Sequence, residues 1–177
     1  MKNHRIPLVI LIVSLVLITV LCGTVLAYMF RQTDYKNNGF TPAQVACLVM
    51  ESFDGEQKTD IKIKNTGNID AYLRVRFVSY WVDGAGKIVA KPSPNLSFPI
   101  AEGWIAGSNN TYYYKSSVSS GNETSSLLVN PIVLVEEDGC KQVIEVFAEA
   151  IQSKPRDAVT NSWGVTVDSS GKITSVP

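Results

Sequence analysis

The stretch Tyr72-Leu-Arg-Val-Arg-Phe-Val-Ser-Tyr-Trp-Val82 decides the fold class of this chain. Its apolar side chains fall on one face, at Leu73, Val75, Phe77 and Trp81. Its polar side chains fall on the other face, at Arg74, Arg76 and Tyr80. An alternation of period two is typical of an antiparallel strand with one face against a core and the other in water. The stretch therefore predicts a long, half-buried strand.

Outward from this strand, further short alternating segments are separated by turn residues, as expected for an all-β chain. They cover residues 44–53, 59–64, 88–89, 111–115, 126–135, 141–151, 164–168 and 172–176. Residues 155–163 predict a single helix, because Pro155 lies in its first turn and Gly164 follows its end. We expect an all-β fold, a jelly-roll-like antiparallel β-sandwich with one short C-terminal helix.

The N-terminus predicts export. Lys2 and Arg5 precede a run of 20 uncharged residues, 8–27, and Val25 and Ala27 stand at the −3 and −1 positions of a signal cleavage site before Tyr28. A run of this length also spans a bilayer, so the alternative is an uncleaved signal anchor formed by a transmembrane helix. The expected partners of this segment are the signal peptidase during export for a cleaved signal, and the membrane for both alternatives. Both also place the rest of the chain outside the cell or on its surface.

Three segments follow from this division of the chain. Residues 1–27 are a signal peptide or signal anchor, residues 28–43 a tether and candidate donor segment, and residues 44–177 the β-sandwich domain. The chain carries 16 basic and 16 acidic residues without a clustered basic face, which argues against nucleic acid as a partner.

Little in the sequence predicts catalysis. The single histidine is His4, within the targeting head, so neither a His-based triad nor an H-E-x-x-H zinc site can be assembled in the mature domain. We expect no enzymatic activity, no cofactor and no metal site. Outside the cytoplasm Cys47 and Cys140 are a candidate disulfide, and the alternative is two buried free thiols.

Two further groups of residues are candidates for contacts. Trp104, Tyr112 and Tyr114 suggest a carbohydrate-stacking ligand face, although the alternation of a strand forces at least one of the neighbouring tyrosines inward, and strand packing is the alternative. Arg74 and Arg76 would pair with Glu145 and Glu149 if their strands are neighbours.

Three stretches of the sequence carry a resemblance to a known family: Gly23-Thr-Val-Leu-Ala-Tyr28, Asn38-Gly-Phe-Thr-Pro-Ala-Gln-Val45 and Ile63-Lys-Asn-Thr-Gly-Asn-Ile-Asp-Ala-Tyr-Leu-Arg-Val-Arg76. They resemble segments of the TasA/camelysin family of Gram-positive bacteria, which is exported with the dedicated signal peptidase SipW. The chain departs from the family pattern at Ala43, where the family has glycine, and at the additional Leu26. The resemblance implies a jelly-roll sandwich in a cell-associated fibre or matrix subunit of the biofilm type.

The expected function is therefore a non-enzymatic cell-surface or extracellular-matrix protein that self-associates into fibres. A membrane-anchored surface binding module is one alternative. An exported peptidase of the camelysin kind is the other, although no recognised catalytic motif is present to carry it.

Overall fold

The computed structural model describes residues 5–32, 41–93 and 96–177. The chain divides into two compact units, Met1–Thr41 and Pro42–Pro177. The first contains the helix α1 (Arg5–Gln32). The second contains all eleven strands of the described residues and the helix α2 (Asp157–Trp163).

Helix α1 includes a 22-residue stretch, Leu8–Met29, that is long and apolar enough to cross a membrane. At 1.5 Å per residue this stretch is about 33 Å long, close to the ~30 Å hydrocarbon core of a bilayer. Its hydroxyl groups are satisfied within the helix, since Ser14, Thr19 and Thr24 each donate to the carbonyl oxygen three residues earlier. The expected N-terminal apolar helix is confirmed, and a signal peptide and a membrane anchor are both compatible with it.

The strands of the second unit are short, apart from two long central ones. They are β1 (Cys47–Phe53), β2 (Gln57–Asn65), β3 (Ala71–Val82), β4 (Ile88–Val89), β5 (Trp104–Ala106), β6 (Thr111–Tyr114), β7 (Ile132–Val133), β8 (Glu136–Glu137), β9 (Cys140–Gln152), β10 (Thr166–Val167) and β11 (Ile173–Ser175).

Two antiparallel sheets form the sandwich. The smaller has the order β1-β2-β7, and the larger has the order β5-β6-β3-β9-β8, with β4 pairing with β3. The strand predicted from the opening stretch is β3, which pairs with β9 without a break from Ala71 opposite Gln152 to Val82 opposite Lys141. The prediction of an all-β antiparallel sandwich with one short C-terminal helix is confirmed.

The main core lies between the two sheets. Leu73, Val75 and Phe77 of β3 and Ile61 and Ile63 of β2 are at most 2 % exposed, in agreement with the alternation of their segments. Complete burial of such side chains stabilises the fold by about 1.5–3 kcal/mol each. The two isoleucines and the inward face of β3 therefore hold the sheets together.

A second, smaller core lies on the opposite face of the large sheet. Tyr72 and Tyr113 are covered there by Trp163 of α2 and by Ile173 of β11. Helix α2 ends where predicted, with Gly164 in the left-handed region at φ 66°. The outer face of β3 is consequently exposed to solvent only in part, because α2 and the β10–β11 hairpin cover the end near Tyr72.

One predicted strand is much shorter in the structure. Of residues 126–135 only Ile132–Val133 forms a regular strand. The chain before it still follows β2, since Thr124 N–H donates to the Ile63 carbonyl and Leu127 N–H to the Ile61 carbonyl. Leu127 is fully buried. The apolar pattern of residues 126–135 therefore predicted the burial of this segment correctly, but it did not predict that regular strand pairing is limited to Ile132–Val133.

Candidate functional site

The structure places the candidate ligand face in the core. Trp104 is 3 % exposed and Tyr112 is 7 % exposed, and Tyr114 is partly buried against the same cluster. Trp104 and Tyr114 pack edge to face at 5.2 Å between ring centroids, and the Trp104 indole N–H donates to the Ser125 carbonyl. Burial raises the pKa of the Tyr112 phenol. The interpretation of these three residues as an exposed stacking platform is wrong, because β6 is covered on both faces.

Cys47 and Cys140 are both free thiols in this structure. Burial raises the pKa of the Cys47 thiol, and the nearby carboxylate of Glu149 raises it further. Glu149 and Cys140 are nine residues apart on β9, which corresponds to about 30 Å of strand. A disulfide requires Cα atoms within about 7 Å, so the predicted bridge is not formed within one chain of this fold.

The proposed cleavage site lies within α1. Val25, Ala27 and Tyr28 belong to a helix that continues to Gln32, so the first residues of the predicted tether 28–43 are helical. Residues 33–40 of that tether lie outside the described residues. Cleavage before Tyr28 stays a prediction.

Hydrogen bonds join the two sheets of the sandwich along one side. On that side β2 bonds to the chain around Thr124 and Leu127, and Leu127 in turn accepts from Ala101 N–H. On the other side β1 and β9 lie next to each other, but no hydrogen bond joins them among the residues that the structure describes. The two sheets are therefore not joined by hydrogen bonds where β1 and β9 lie side by side. We call this boundary the β1–β9 seam.

The unpaired edge of β9 is long. Gln142 N–H donates to the Val135 carbonyl on the β8 side, whereas Ser153 N–H donates to Asp70 on the β3 side. Because backbone groups alternate along an antiparallel strand, those of Ile144, Val146 and Ala148 point away from β3. Strand β8 pairs only with Cys140 and Lys141. The backbone groups of Ile144, Val146, Ala148 and Ala150 therefore form an edge without a partner within the described part of the chain.

Strand β1 presents the matching edge. The Ala46 and Gln44 carbonyls accept from residues just after β2, so by alternation the odd-numbered residues Cys47 and Val49 direct their backbone groups toward the seam. The two strands run in opposite directions, because Ala43 lies beside Gln152 in one cavity and Phe53 beside Ile144 in another.

Cavities of about 310 and 260 Å³ lie at the two ends of the seam. The lining of both is mainly carbon, and Phe53 at the second is 50 % exposed. A peptide that runs along the β9 edge would therefore meet an apolar cavity at each end. Such pockets beside a strand edge are how strand addition acquires side-chain specificity.

The turn Asn65-Thr66-Gly67, which carries part of the family resemblance, fastens β1 at this seam. Asn65 is fully buried, and its side-chain amide donates to the carbonyls of Ile69 and Val118, both at 2.8 Å. Its Oδ1 accepts from Gly67 N–H at 3.0 Å. The turn shaped in this way holds the start of β1, because Thr66 N–H and Gly67 N–H both donate to the Ala46 carbonyl.

Gly67 is required by close approach rather than by backbone conformation. A Cβ atom on Gly67 would lie 2.3 Å from the Gln44 carbonyl oxygen and 3.0 Å from the Ala46 nitrogen. We expect Gly67→Ala to lower the free energy of unfolding by about 1–3 kcal/mol, because the entry of β1 must move outward. Gly84→Ala is the matched control, since a Cβ atom there meets no atom within 4 Å. Equal denaturation midpoints for the two variants would contradict this account of the turn.

Comparisons with known proteins return no match to this chain among family models, curated proteins or solved structures.

Proposed function

We propose that this chain is an exported, non-enzymatic structural protein of the cell surface or extracellular matrix, whose sandwich self-associates by strand addition at the edge of β9. The observation that carries the proposal is the edge of β9 at which alternate residues, Ile144, Val146, Ala148 and Ala150, have unpaired backbone groups. An exposed strand edge is a ready template for another chain. Export is supported by the apolar helix α1.

The edge lacks most of the features by which soluble proteins block such pairing. Between Val143 and Gln152 there is no proline and no lysine, and only Glu145 and Glu149 carry charge. Phe147, between these two glutamates, is 49 % exposed. The stretch combines high β propensity with low charge, which favours pairing with a further strand.

Addition of a strand requires a small movement of β1. Cα atoms of β1 and β9 approach within 8 Å, whereas a strand placed between two partners needs about 9.6 Å. The incoming strand therefore pairs with β9 and displaces β1 outward by about 2 Å or more.

The incoming strand comes from the N-terminal segment of another copy. Of the predicted donor, residues 42–44 are bound to their own domain, because Asn68 donates its side-chain amide to the Pro42 carbonyl and accepts from Gln44 N–H. The portion that could be donated is therefore residues 28–41.

Proline at Ala148 tests the acceptor edge. Ala148→Pro removes an N–H that points to the seam and that the pairing with β3 does not use, so the monomer should fold. Ala148→Ser keeps the N–H and serves as the matched control. We expect the serine variant of the mature protein to form polymers and the proline variant to stay monomeric, as measured by light scattering coupled to size-exclusion chromatography. Polymers of equal size from both variants would rule out the β9 edge. Deletion of residues 28–40 tests the donor in the same assay.

A membrane-anchored binding module is the second candidate, favoured by the unbroken course of α1 from Arg5 to Gln32. The intact mass of the protein recovered from its host separates the two. The matrix proposal predicts a chain that begins at Tyr28. A chain that begins near Met1 would keep the donor segment tethered at the membrane. That result would favour the binding module over the matrix protein.

A further inference from the structure

A polar cleft of about 220 Å³ lies on the outer face of the large sheet, and Glu149 of β9 is part of its lining. Residues of β3, β6, β9 and the loop between β5 and β6 line it, including Arg74, Arg76, Asn109, Thr111, Tyr113 and Glu149. Its lining is mainly oxygen and nitrogen, so it suits a hydrogen-bonding group rather than an apolar one.

One arginine of the cleft is held rigidly. Arg74 Nε and Nη2 donate to Glu149 Oε2 at 3.0 and 2.6 Å, which confirms one of the cross-strand pairs expected from the sequence. Its guanidinium carbon lies 4.7 Å from the ring centroid of Trp163, and its Nη1 donates to the Tyr113 hydroxyl. This arrangement fixes the orientation of the Arg74 guanidinium and leaves its remaining N–H groups available to a ligand.

The second arginine, Arg76, gives the cleft its net positive charge. Arg76 lies two residues further along the same face of β3, and its side chain is exposed. Its cross-strand neighbours Thr111 and Phe147 are uncharged. Within the described residues no carboxylate pairs with it, since Glu145 accepts instead from the Tyr80 hydroxyl. The arginines and Glu149 together leave one net positive charge in the cleft.

The loop between β5 and β6 closes the cleft in a fixed conformation. Asn109 and Asn110 have φ values of 54° and 55°, in the left-handed region that asparagine tolerates better than most residues. The Asn110 carbonyl accepts from Phe77 N–H, and the Ser108 carbonyl accepts from Thr111 N–H. Asn109 thereby lines the cleft beside the arginines.

We propose that this cleft binds an oxyanion group, a phosphate, sulfate or carboxylate, displayed on a larger ligand. Arg76 supplies the main contact, because a guanidinium donates two parallel hydrogen bonds to such a group. Arg74 supports it from a fixed position, and Asn109 and Thr111 supply neutral contacts. The cleft opens on the outer face of the large sheet, whereas strand addition uses the backbone edge of β9, so oxyanion binding is a property distinct from self-association.

The test is an NMR titration of the full chain in detergent micelles, which follows the Nε–H signals of Arg74 and Arg76. The probes are inorganic phosphate, sulfate and acetate at constant ionic strength, with chloride as the reference, so that the three arms identify the anion that is preferred. Arg76→Gln removes the main contact. Lys87→Gln is the matched control, because it removes the same charge at an exposed turn away from the cleft.

We expect saturable shifts with at least one oxyanion, an affinity about tenfold or more lower in Arg76→Gln, and an unchanged affinity in Lys87→Gln. Shifts that stay linear with every probe, or that change equally in the two variants, would overturn the proposal.

Discussion

Replacement of Trp104 by alanine is expected to lower the free energy of unfolding by about 3–5 kcal/mol. The indole is 3 % exposed and belongs to the main core. Its removal leaves a cavity, deprives Tyr114 of an edge-to-face partner, and leaves the Ser125 carbonyl without its donor. A residue on an exposed ligand face would behave differently, since its truncation would weaken binding and leave folding intact.

The measurement is urea denaturation of the full chain in micelles, followed by near-ultraviolet circular dichroism. Phe147→Ala is the control, because Phe147 is an aromatic residue of the same sheet that is 49 % exposed, and we expect it to cost less than about 1 kcal/mol. A Trp104→Ala variant as stable as the parent chain would contradict the placement of Trp104 in the core. It would favour the interpretation of Trp104 as part of an exposed ligand face.

Replacement of Asn65 by alanine is the second change with a large expected effect. Asn65 is fully buried, and three of its side-chain hydrogen bonds satisfy backbone groups of Gly67, Ile69 and Val118. An alanine leaves the Ile69 carbonyl without a partner, which costs about 1–3 kcal/mol. Gly67 N–H still donates to the Ala46 carbonyl and the Val118 carbonyl still accepts from Ala71 N–H, so each of these two groups loses one hydrogen bond of about 0.5–1.5 kcal/mol. Since water can reach some of them after local opening, we expect a loss of about 3–5 kcal/mol in all.

Asn68→Ala is the matched control for Asn65, because it removes an asparagine from the same turn at an exposed position. Its contacts are to Pro42 and Gln44, so we expect a loss near 1 kcal/mol and a freer N-terminal segment. Denaturation of both variants in parallel measures the difference, and equal losses would contradict a special structural role for Asn65.

The strands could be predicted from the sequence where one face of the strand is buried in the core. In β3 and β2 the alternation reported the buried residues correctly, because Leu73, Phe77, Ile61 and Ile63 all face the main core. It did not report that α2 and the β10–β11 hairpin cover part of the other face. Alternation separates the two faces of a strand, but whether a further element covers the second face depends on tertiary structure.

The errors about the candidate sites have the same origin. The sequence places Trp104 and Tyr112 near each other but does not show that β5 and β6 are covered. Two cysteines in one exported chain suggest a bridge, but only the direction of β9 shows that Cys47 and Cys140 lie far apart. The β1–β9 seam was invisible in the sequence, since a strand without a neighbour has the same side-chain pattern as a paired one.

The most direct test of strand addition at the seam is hydrogen exchange of the β9 amides in monomer and in assembled protein. The N–H groups of Val146 and Ala148 point to the seam, whereas that of Phe147 is used in the pairing with β3. We predict that in the monomer Val146 and Ala148 exchange faster than Phe147, and that in the assembled protein their exchange slows to the rate of Phe147. Exchange of Val146 and Ala148 that is equally fast in both states would contradict the proposal.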